Sequence, residues 1–465
     1  MEIAQWELHD VSFVEEAFYG ETPASPSMKS FWHNSISLEP KRDTLRSERR
    51  LGNRGRPLSR LGFKRCEGSA EVELCYSNFD EFLEALLMGR FPTAFTQISD
   101  TCSIVAATGV VTDDDSGSAF ANVEVGDWVT MAGWVNAGNN GTFQVTAKPD
   151  DDNITFANDV ASFTNESAVA TTFDQQERLE DRSEWEIPFT TLTGITYSAA
   201  NADNSFNDSG SGFGDIEVGD WIAVKGFTTA ANNGIFQVVT AAAGKITVSG
   251  GTLQDEAAGD TVTIDQKIYR SFTFEGRYQD ISAFHQFPGV MIKSGAFTLN
   301  PDNIVMVNFG LLGANFVPDT TQLGAPAAQG DYEPFDCLGG TYTEGGTATT
   351  RMTAFDCTVE NNNNIPKALG QTVSTEQTLG AFETTGSVSF YLTDNTLISK
   401  FWNETITSLE VTLQDPDGND YIIGFPYVKI MDVDLKKSGD IEAVVGFSFE
   451  AGEHPTTGCQ IYIIR

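Results

Sequence analysis

Positive charge is what this 465-residue sequence has least of: 28 Lys and Arg stand against 65 Asp and Glu, a formal net charge of -37. Such a chain is repelled by nucleic acid and by anionic membranes, which excludes a groove that grips DNA but not a passage through which DNA slides. Long apolar runs are absent too. None reaches the ~18 residues of a membrane span, and the opening MEIAQWELHDVSF lacks the basic-then-apolar layout of a signal peptide, so a soluble chain made in a cytoplasm is expected. Six cysteines (66, 75, 102, 337, 357 and 459) form no CxxC pair, which argues against a zinc site or a disulfide framework. Cys337 and Cys357 flank a hairpin turning at Gly345-Gly346, in poor registry for a bridge. His9, His33, His285 and His454 are far apart with no HExxH spacing, and no GxSxG, P-loop or dinucleotide fingerprint sits between a strand and a helix. Gly210, Gly212 and Gly214 have no helix after them. Asp415, Asp417, Gly418 and Asp420 look like part of a calcium loop but lack its distal Glu and fit a hairpin turn. No catalytic residue, metal or cofactor is assigned, and no enzymatic activity is expected; only paired carboxylates for glycoside hydrolysis stay open, because acids are everywhere.

What the chain does have is strand-forming composition and repetition. Glycine at 43 and phenylalanine at 33, with plentiful Thr, Val and Asn, suit many short strands joined by tight turns. From Gly386, GSVSFYLTDNTLISKFWNETI leads to a long hairpin, FPYVKIMDVDLKKSGDIEAVVGFSFEAG; earlier, GSAEVELCYSNFDEFLEALLMG from Gly68 and FPGVMIKSGAFTLNPDNIVMVNFGLLGA from Phe287 repeat the plan. Phe287, Pro288, Val290 and Ile292 align without a gap on Phe425, Pro426, Val428 and Ile430. One mainly-β, sandwich-or-barrel domain is therefore used twice, each copy carrying one short helix.

In chain order, residues 1–34 form an N-terminal docking arm with aromatic anchors (Trp6, Phe13, Phe18, Tyr19, Phe31, Trp32), destined for a surface of its own chain or of the next subunit. Domain A occupies 35–102 and 266–317. Between Lys41 and Arg65 lie ten of the 28 basic residues, with Gly52, Gly55 and Pro57 marking a loop. A nucleic-acid arm and a solvated loop are alternatives for it. We read Arg42, Arg46, Arg49, Arg50, Arg54, Arg56 and Arg60 as a loop docking on acidic surface of an adjoining subunit, since like-charged protomers must offset their repulsion. Ala70, Val72 and Leu74 alternate with Glu71 and Glu73 as in a half-buried strand, and the stripe Phe79, Phe82, Leu83, Leu86, Leu87 predicts a helix capped by Ser77 or Asn78. In the second copy Asp394 is the cap candidate and Leu397, Ile398, Phe401 and Trp402 the stripe.

An interruption follows with its own repeat. DSGSAFANVEVGDWVTMAGWVNAGNNGTFQV from Asp115 matches DSGSGFGDIEVGDWIAVKGFTTAANNGIFQV from Asp208 at more than half its positions. These are two inserted small β-barrel-like modules, 103–172 and 194–265, joined by a charged connector at 173–193. Asn139-Asn140-Gly141 and Asn232-Asn233-Gly234 read as tight primed turns, and Trp128 and Trp221 as core fillers. Residues 318–332 are a linker, and domain B runs from 333 to 465.

The segments FEGRYQD and TTGSVSFYLTDNTLISKFWNET, with their two hairpins, resemble the tail tube proteins of long, non-contractile-tailed bacteriophages, and the VGDW…NNGxFxV modules resemble decorations inserted into phage tail proteins. The resemblance implies a structural virion protein, assembled in the host cytoplasm, that polymerises as stacked rings into the tail tube for genome ejection. It further implies partners: copies of itself, the tail tip, tape measure and tail terminator proteins, and double-stranded DNA in transient passage. Family subunits with one domain form hexameric rings, so a chain with two should form trimers of pseudo-hexameric symmetry. Glu71, Glu73, Asp432 and Asp434 are candidates for a negatively charged lumen, ordinary solvated faces being the alternative. A second reading is a host-surface, glycan-binding adhesion protein acting through the repeated modules.

Overall fold

The computed structural model describes residues 9–49, 57–92, 95–115, 117–123, 125–156, 163–181, 189–301, 303–349, 351–436, 443–455 and 457–465. The fold is mainly β, and each half is built around one 17-residue strand, Ala283–Leu299 in the first half and Asp420–Lys436 in the second. Both strands change partners partway. Ala283–Val290 pairs with Ser271–Tyr278, just as Asp420–Val428 pairs with Thr407–Gln414. Both then slip register, between Ile292 and Ser294 and between Ile430 and Asp432, and run on in a second layer. A bulge bends a strand and raises its twist, which lets one strand serve two layers.

The repeat extends to register. Met306–Gly313 pairs with Arg60–Glu73 from Met306↔Glu73 to Gly313↔Cys66, and Val444–Ala451 pairs with Glu383–Tyr391 from Val444↔Tyr391 to Ala451↔Thr384. Gly68 and Gly386 hold corresponding places, and each lies so close to the next strand that an added Cβ would stand 2.5 Å from a carbonyl, of Ser37 and Asp356 respectively. Helix Asp80–Leu87 buries Phe82, Leu83, Leu86 and Leu87 against its half; no side chain caps it, and Ser77 instead takes a positive φ of 61°. Helix Thr396–Trp402 buries none of its residues, and Asp394 accepts the Thr396 N–H at 2.8 Å. Both halves share one apolar core running from Val11 to Ile463.

Part of the expected docking arm is a strand of its own chain. His9–Glu16 pairs along its whole length with Ser271–Tyr278, the position Asp336–Glu344 takes beside Thr407–Gln414. Glu15 fastens it to Arg270 at 2.7 Å and Arg90 at 3.2 Å. Burial raises the Glu15 pKa, but the Arg270 and Arg90 charges outweigh that and hold it below the usual carboxylate range. Trp6 lies outside the described residues. The six cysteines are free thiols.

The first module is a closed six-stranded barrel; the second is a seven-stranded sheet with its own core. Two expectations for them fail. The Asn-Asn-Gly segments are not primed turns: Asn140 and Asn233 have φ of -91° and -110°, after short 3-10 turns at Ala137–Asn139 and Ala230–Asn232. The buried Asn139 amide instead clamps Thr164 through its N–H and C=O, and Asn232 clamps Gln254 likewise. Burying an amide demands such partners, so the motif is an interior clamp. Trp128 and Trp221 lie outside the module cores, under the guanidinium groups of Arg178 at 4.0 Å and Arg90 at 3.8 Å. They join the modules to the rest of the chain by cation–π contact.

Within the expected connector, Arg178–Glu180 pairs with Tyr462–Ile464, and the next residue, buried Asp181, accepts the N–H groups of Gln460 and Ile461 at 2.7 and 2.8 Å. Burial pushes its carboxyl up to about 7. Because the folded value lies above the unfolded one, the folded state binds the extra proton between about pH 4 and 7, and stability falls as pH rises through that window. Asp181→Asn keeps the accepting oxygen. It should flatten this dependence and raise stability at pH 8 by roughly 4 kcal/mol, read by denaturant unfolding at pH 5 and 8.

Candidate assembly interface

The two halves meet strand to strand. Ser294–Leu299 pairs with Phe355–Glu360, so eight strand positions, four from each half with residues 35–45 counted as one, form one continuous sheet. At this seam Phe297 stands opposite Cys357, each 1% exposed. Gly295 offers bare backbone to Leu86 of the first helix, which a Cβ there would approach to 2.4 Å. The segment 361–382 straps the seam from above: the Asn361 amide donates to Leu86 O at 2.9 Å and Ile292 O at 3.3 Å, and the Gln377 amide donates to Leu312 O at 2.7 Å and Gly289 O at 3.1 Å. Tyr421, from the second half, donates its hydroxyl to Asp80 of the first helix and accepts the Ser77 N–H at 2.9 Å.

The sheet has one apolar and one polar face. Directly paired residues share a face, so the ladder reads as rows, one of which runs Glu73, Met306, Thr298, Asp356, Ser387, Ser448, Asp432. The neighbouring row begins at Glu71 and passes through Asn308, Thr358, Thr385 and Glu450. Glu71, Glu73, Asp432 and Asp434 therefore lie on one face of one sheet, turned away from the helices, and Glu71, Asp432 and Asp434 are exposed.

The basic segment is partly a hairpin rather than a loop: Glu39–Leu45 pairs with Arg60–Glu73. Alternation in KRDTL was masked by charge on both faces, and both faces are exposed. Arg42 and Arg60 lie on its strands, Arg46 and Arg49 follow the first strand, and all four are exposed. Arg50, Arg54 and Arg56 lie outside the described residues. Arg42 donates to Gly62 O at 3.3 Å, while Asp43 joins Arg65 at 2.7 Å to Lys367 of the strap.

Two strand edges are open in the fold that no motif of the sequence marks. Among the described residues no strand pairs with the outer edge of Ile36–Lys41, nor with the edge of the Asp420–Lys436 strand beyond Val428, where Thr407–Gln414 ends. Large apolar side chains stand exposed near the second edge: Met431 at 51%, Leu435 at 58% and Trp402 at 82%. The signal available was DVDLK, an alternation as good as that of its counterpart SGAFT. Among the described residues, carboxylates close enough to share a cation occur at Asp100, Asp113 and Asp115; Asp113 already accepts the N–H groups of Asp115, Gly117 and Ala119. No described helix is long and apolar enough to cross a membrane.

The sheet is thus duplicated with matching registers, its copies are joined at a seam, and two strand edges stay unpaired among the described residues. A family model described as phage tail tube protein matches the chain twice, over residues 8–254 and 228–451. The chain belongs to the phage tail tube protein family. No curated protein matches it. As a tail tube protein with the domain duplicated, it is a structural component of a bacteriophage tail that assembles with itself into a tube. The internal seam is part of the fold's stability: Phe297→Ala should cost about 3–5 kcal/mol, measured by denaturant unfolding of the unassembled chain.

Proposed function

We propose that three copies close into a ring of six similar halves, that rings stack into the tail tube, and that the acidic sheet face lines the channel through which the genome is ejected. The observation that carries this is the internal seam. It uses one edge of each half, and the opposite edges, on Ile36–Lys41 and beyond Val428, are the same two kinds of edge left over. Each half contributes four strands to the sheet, so six halves give about 24; at ~4.8 Å spacing and ~40° tilt these close at a backbone diameter of roughly 48 Å. Closure leaves no strand edge exposed. Glu71, Glu73, Asp432 and Asp434 then face inward and repel phosphates, so DNA passes without sticking.

The modules belong outside the channel. They enter between helix Asp80–Leu87 and strand Ser271–Tyr278, both in the layer away from the acidic face. The basic hairpin, including Arg42, Arg46, Arg49 and Arg60, joins the same two strand positions in the first half that the strap 361–382 joins in the second. Since the strap grips the first half, the hairpin is placed to grip the neighbouring subunit. Assembly in the host cytoplasm on a tail tip, around a tape measure and up to a terminator completes the reading.

Electron microscopy of the purified protein across a concentration series tests it. Hollow tubes with three-fold rings and six lobes are expected; a monomer that also fails to extend a supplied tail tip would overturn the reading. Each module's ends lie together, Ile98 opposite Phe173 and Leu192 opposite Ile264, so each can be excised. Replacing 98–175 and 192–266 by short Gly-Ser linkers, with Arg178–Glu180 retained, should leave tubes intact and thinner. At a net charge of -37 per chain, growth should accelerate between about 10 mM and 150 mM salt, where the screening length falls from ~30 to ~8 Å; light scattering reads the rate.

A further inference from the structure

The internal seam contains a template for the contact between copies. Resting on the ring proposed above, we infer that the strand edge beyond Val428 of one copy pairs with the Ile36–Lys41 edge of the next, in the register of Ser294–Leu299 against Phe355–Glu360.

The transfer needs two correspondences, and both are in the ladder. Along the long strands, Phe287 corresponds to Phe425 and the bulge after Ile292 to that after Ile430, so Ser294 maps to Asp432, Ala296 to Asp434 and Phe297 to Leu435. Along the edge strands, Cys357 pairs with Gly386, while the pairs Ile36↔Ala70 and Glu39↔Glu67 set Leu38 opposite Gly68. The close approaches of Gly68 to Ser37 O and of Gly386 to Asp356 O fix the same alignment. Phe355, Cys357 and Glu360 thus map to Ile36, Leu38 and Lys41.

Copying the register puts chemically matched groups together. Phe297 and Cys357 are both buried at the internal seam; their counterparts are Leu435, 58% exposed, and Leu38, half-buried. Pairing sets Leu435 opposite Leu38 on the apolar face and removes both from water. On the acidic face Ser294 and Glu360 become Asp432 and Lys41, an opposite-charge pair. Asp434 comes opposite Glu39, which Lys41 already contacts at 2.8 Å, so Lys41 sits among three carboxylates. Arg42 then occupies the place of Asn361. Asn361 donates to Leu86 O in the last turn of the first helix; Arg42 of the next copy reaches the C-terminal carbonyls of helix Thr396–Trp402, a site that favours a cation. The partner is a second copy of this chain, joined head to tail.

Cysteine pairing reads the register directly. Opposed Cα atoms of an antiparallel pair lie about 4.5–5.5 Å apart, within disulfide reach. A chain carrying Leu38→Cys and Leu435→Cys, oxidised as assembled tubes, should give covalent dimers and closed trimers on a non-reducing gel. Mixed chains carrying one substitution each should give dimers and nothing larger. Wild-type tubes, whose native thiols are buried or half-buried, should give neither. Normal tubes that cross-link through Ile36→Cys with Leu435→Cys, and not through Leu38→Cys, would overturn this register and leave the tube reading standing; absence of rings from wild-type protein would sink the tube reading itself. Charge reversal is the second measurement. Asp432→Lys and Lys41→Asp should each raise the concentration needed for assembly roughly tenfold, and together should recover most of the loss. Additive losses in the double variant would overturn the pairing.

Discussion

A β-strand carries backbone donors and acceptors on both edges, and every edge that is not paired must be covered, charged or given to another chain. That constraint organises this protein. Each half has one edge that begins a sheet and one that ends it, and the fold joins the end of the first half to the start of the second. The bulged long strand makes this possible, because its first part closes one layer while its second part, released by the bulge, faces outward as an edge. Helix, strap and core residues then arrange themselves around the seam: Leu86 rests on Gly295, Asn361 grips the end of the helix, and Phe297 closes against Cys357.

The two halves are alike in register and unlike in burial. The first helix is covered by Phe13, Phe31 and the strap, with Phe79, Phe82 and Leu86 at 2% exposure or less. The second has the same apolar spacing, yet Trp402 stands 82% exposed and a cavity lined by Phe390, Leu397, Val445 and Phe447 lies beside it. Burying apolar surface is the main favourable term in association as in folding. The first helix is thus closed by Phe13 and Phe31 of its own half together with the strap from the second, and the second helix lacks such a cover among the described residues.

Much of this was legible in the sequence, for physical reasons that also explain what was not. The FPxVxI hairpins and the Gly-Ser strands revealed the duplication because close backbone approach and core packing restrict residue choice. The alternation around Glu71 and Asp432 identified solvent-side positions, and the ladder brings them onto one face. The Asn-Asn-Gly segments misled because Asn-Gly has a strong local preference for primed turns, and nothing local shows that Asn139 and Asn232 are needed as interior amides. Trp128 and Trp221 misled because size suggests burial, whereas each is a platform for an arginine far away in the chain. The strand edges were invisible for a deeper reason. Whether an edge is open depends on where other strands stop, and that is a property of topology rather than of any segment.

Fusing two halves has a consequence for how a ring of the proposed kind forms. With separate halves, six free molecules must be brought together to form the six seams, at the cost of the translational and rotational freedom of five of them. With fused halves, three are made on folding and only three remain for association. The two kinds of seam can then specialise. The internal one is made of Ser294, Ala296 and Thr298 facing Asp356, Thr358 and Glu360 over a buried Phe297, and tolerates little change because it is also core. The proposed external one sets Asp432 and Asp434 against Glu39 and Lys41, with a single cation among three acids. Because like charges oppose across it, its strength follows ionic strength, while the internal seam does not. In a ring of the proposed kind, control over closure therefore resides in the seam between copies, and the seam within the chain keeps each subunit ready to join.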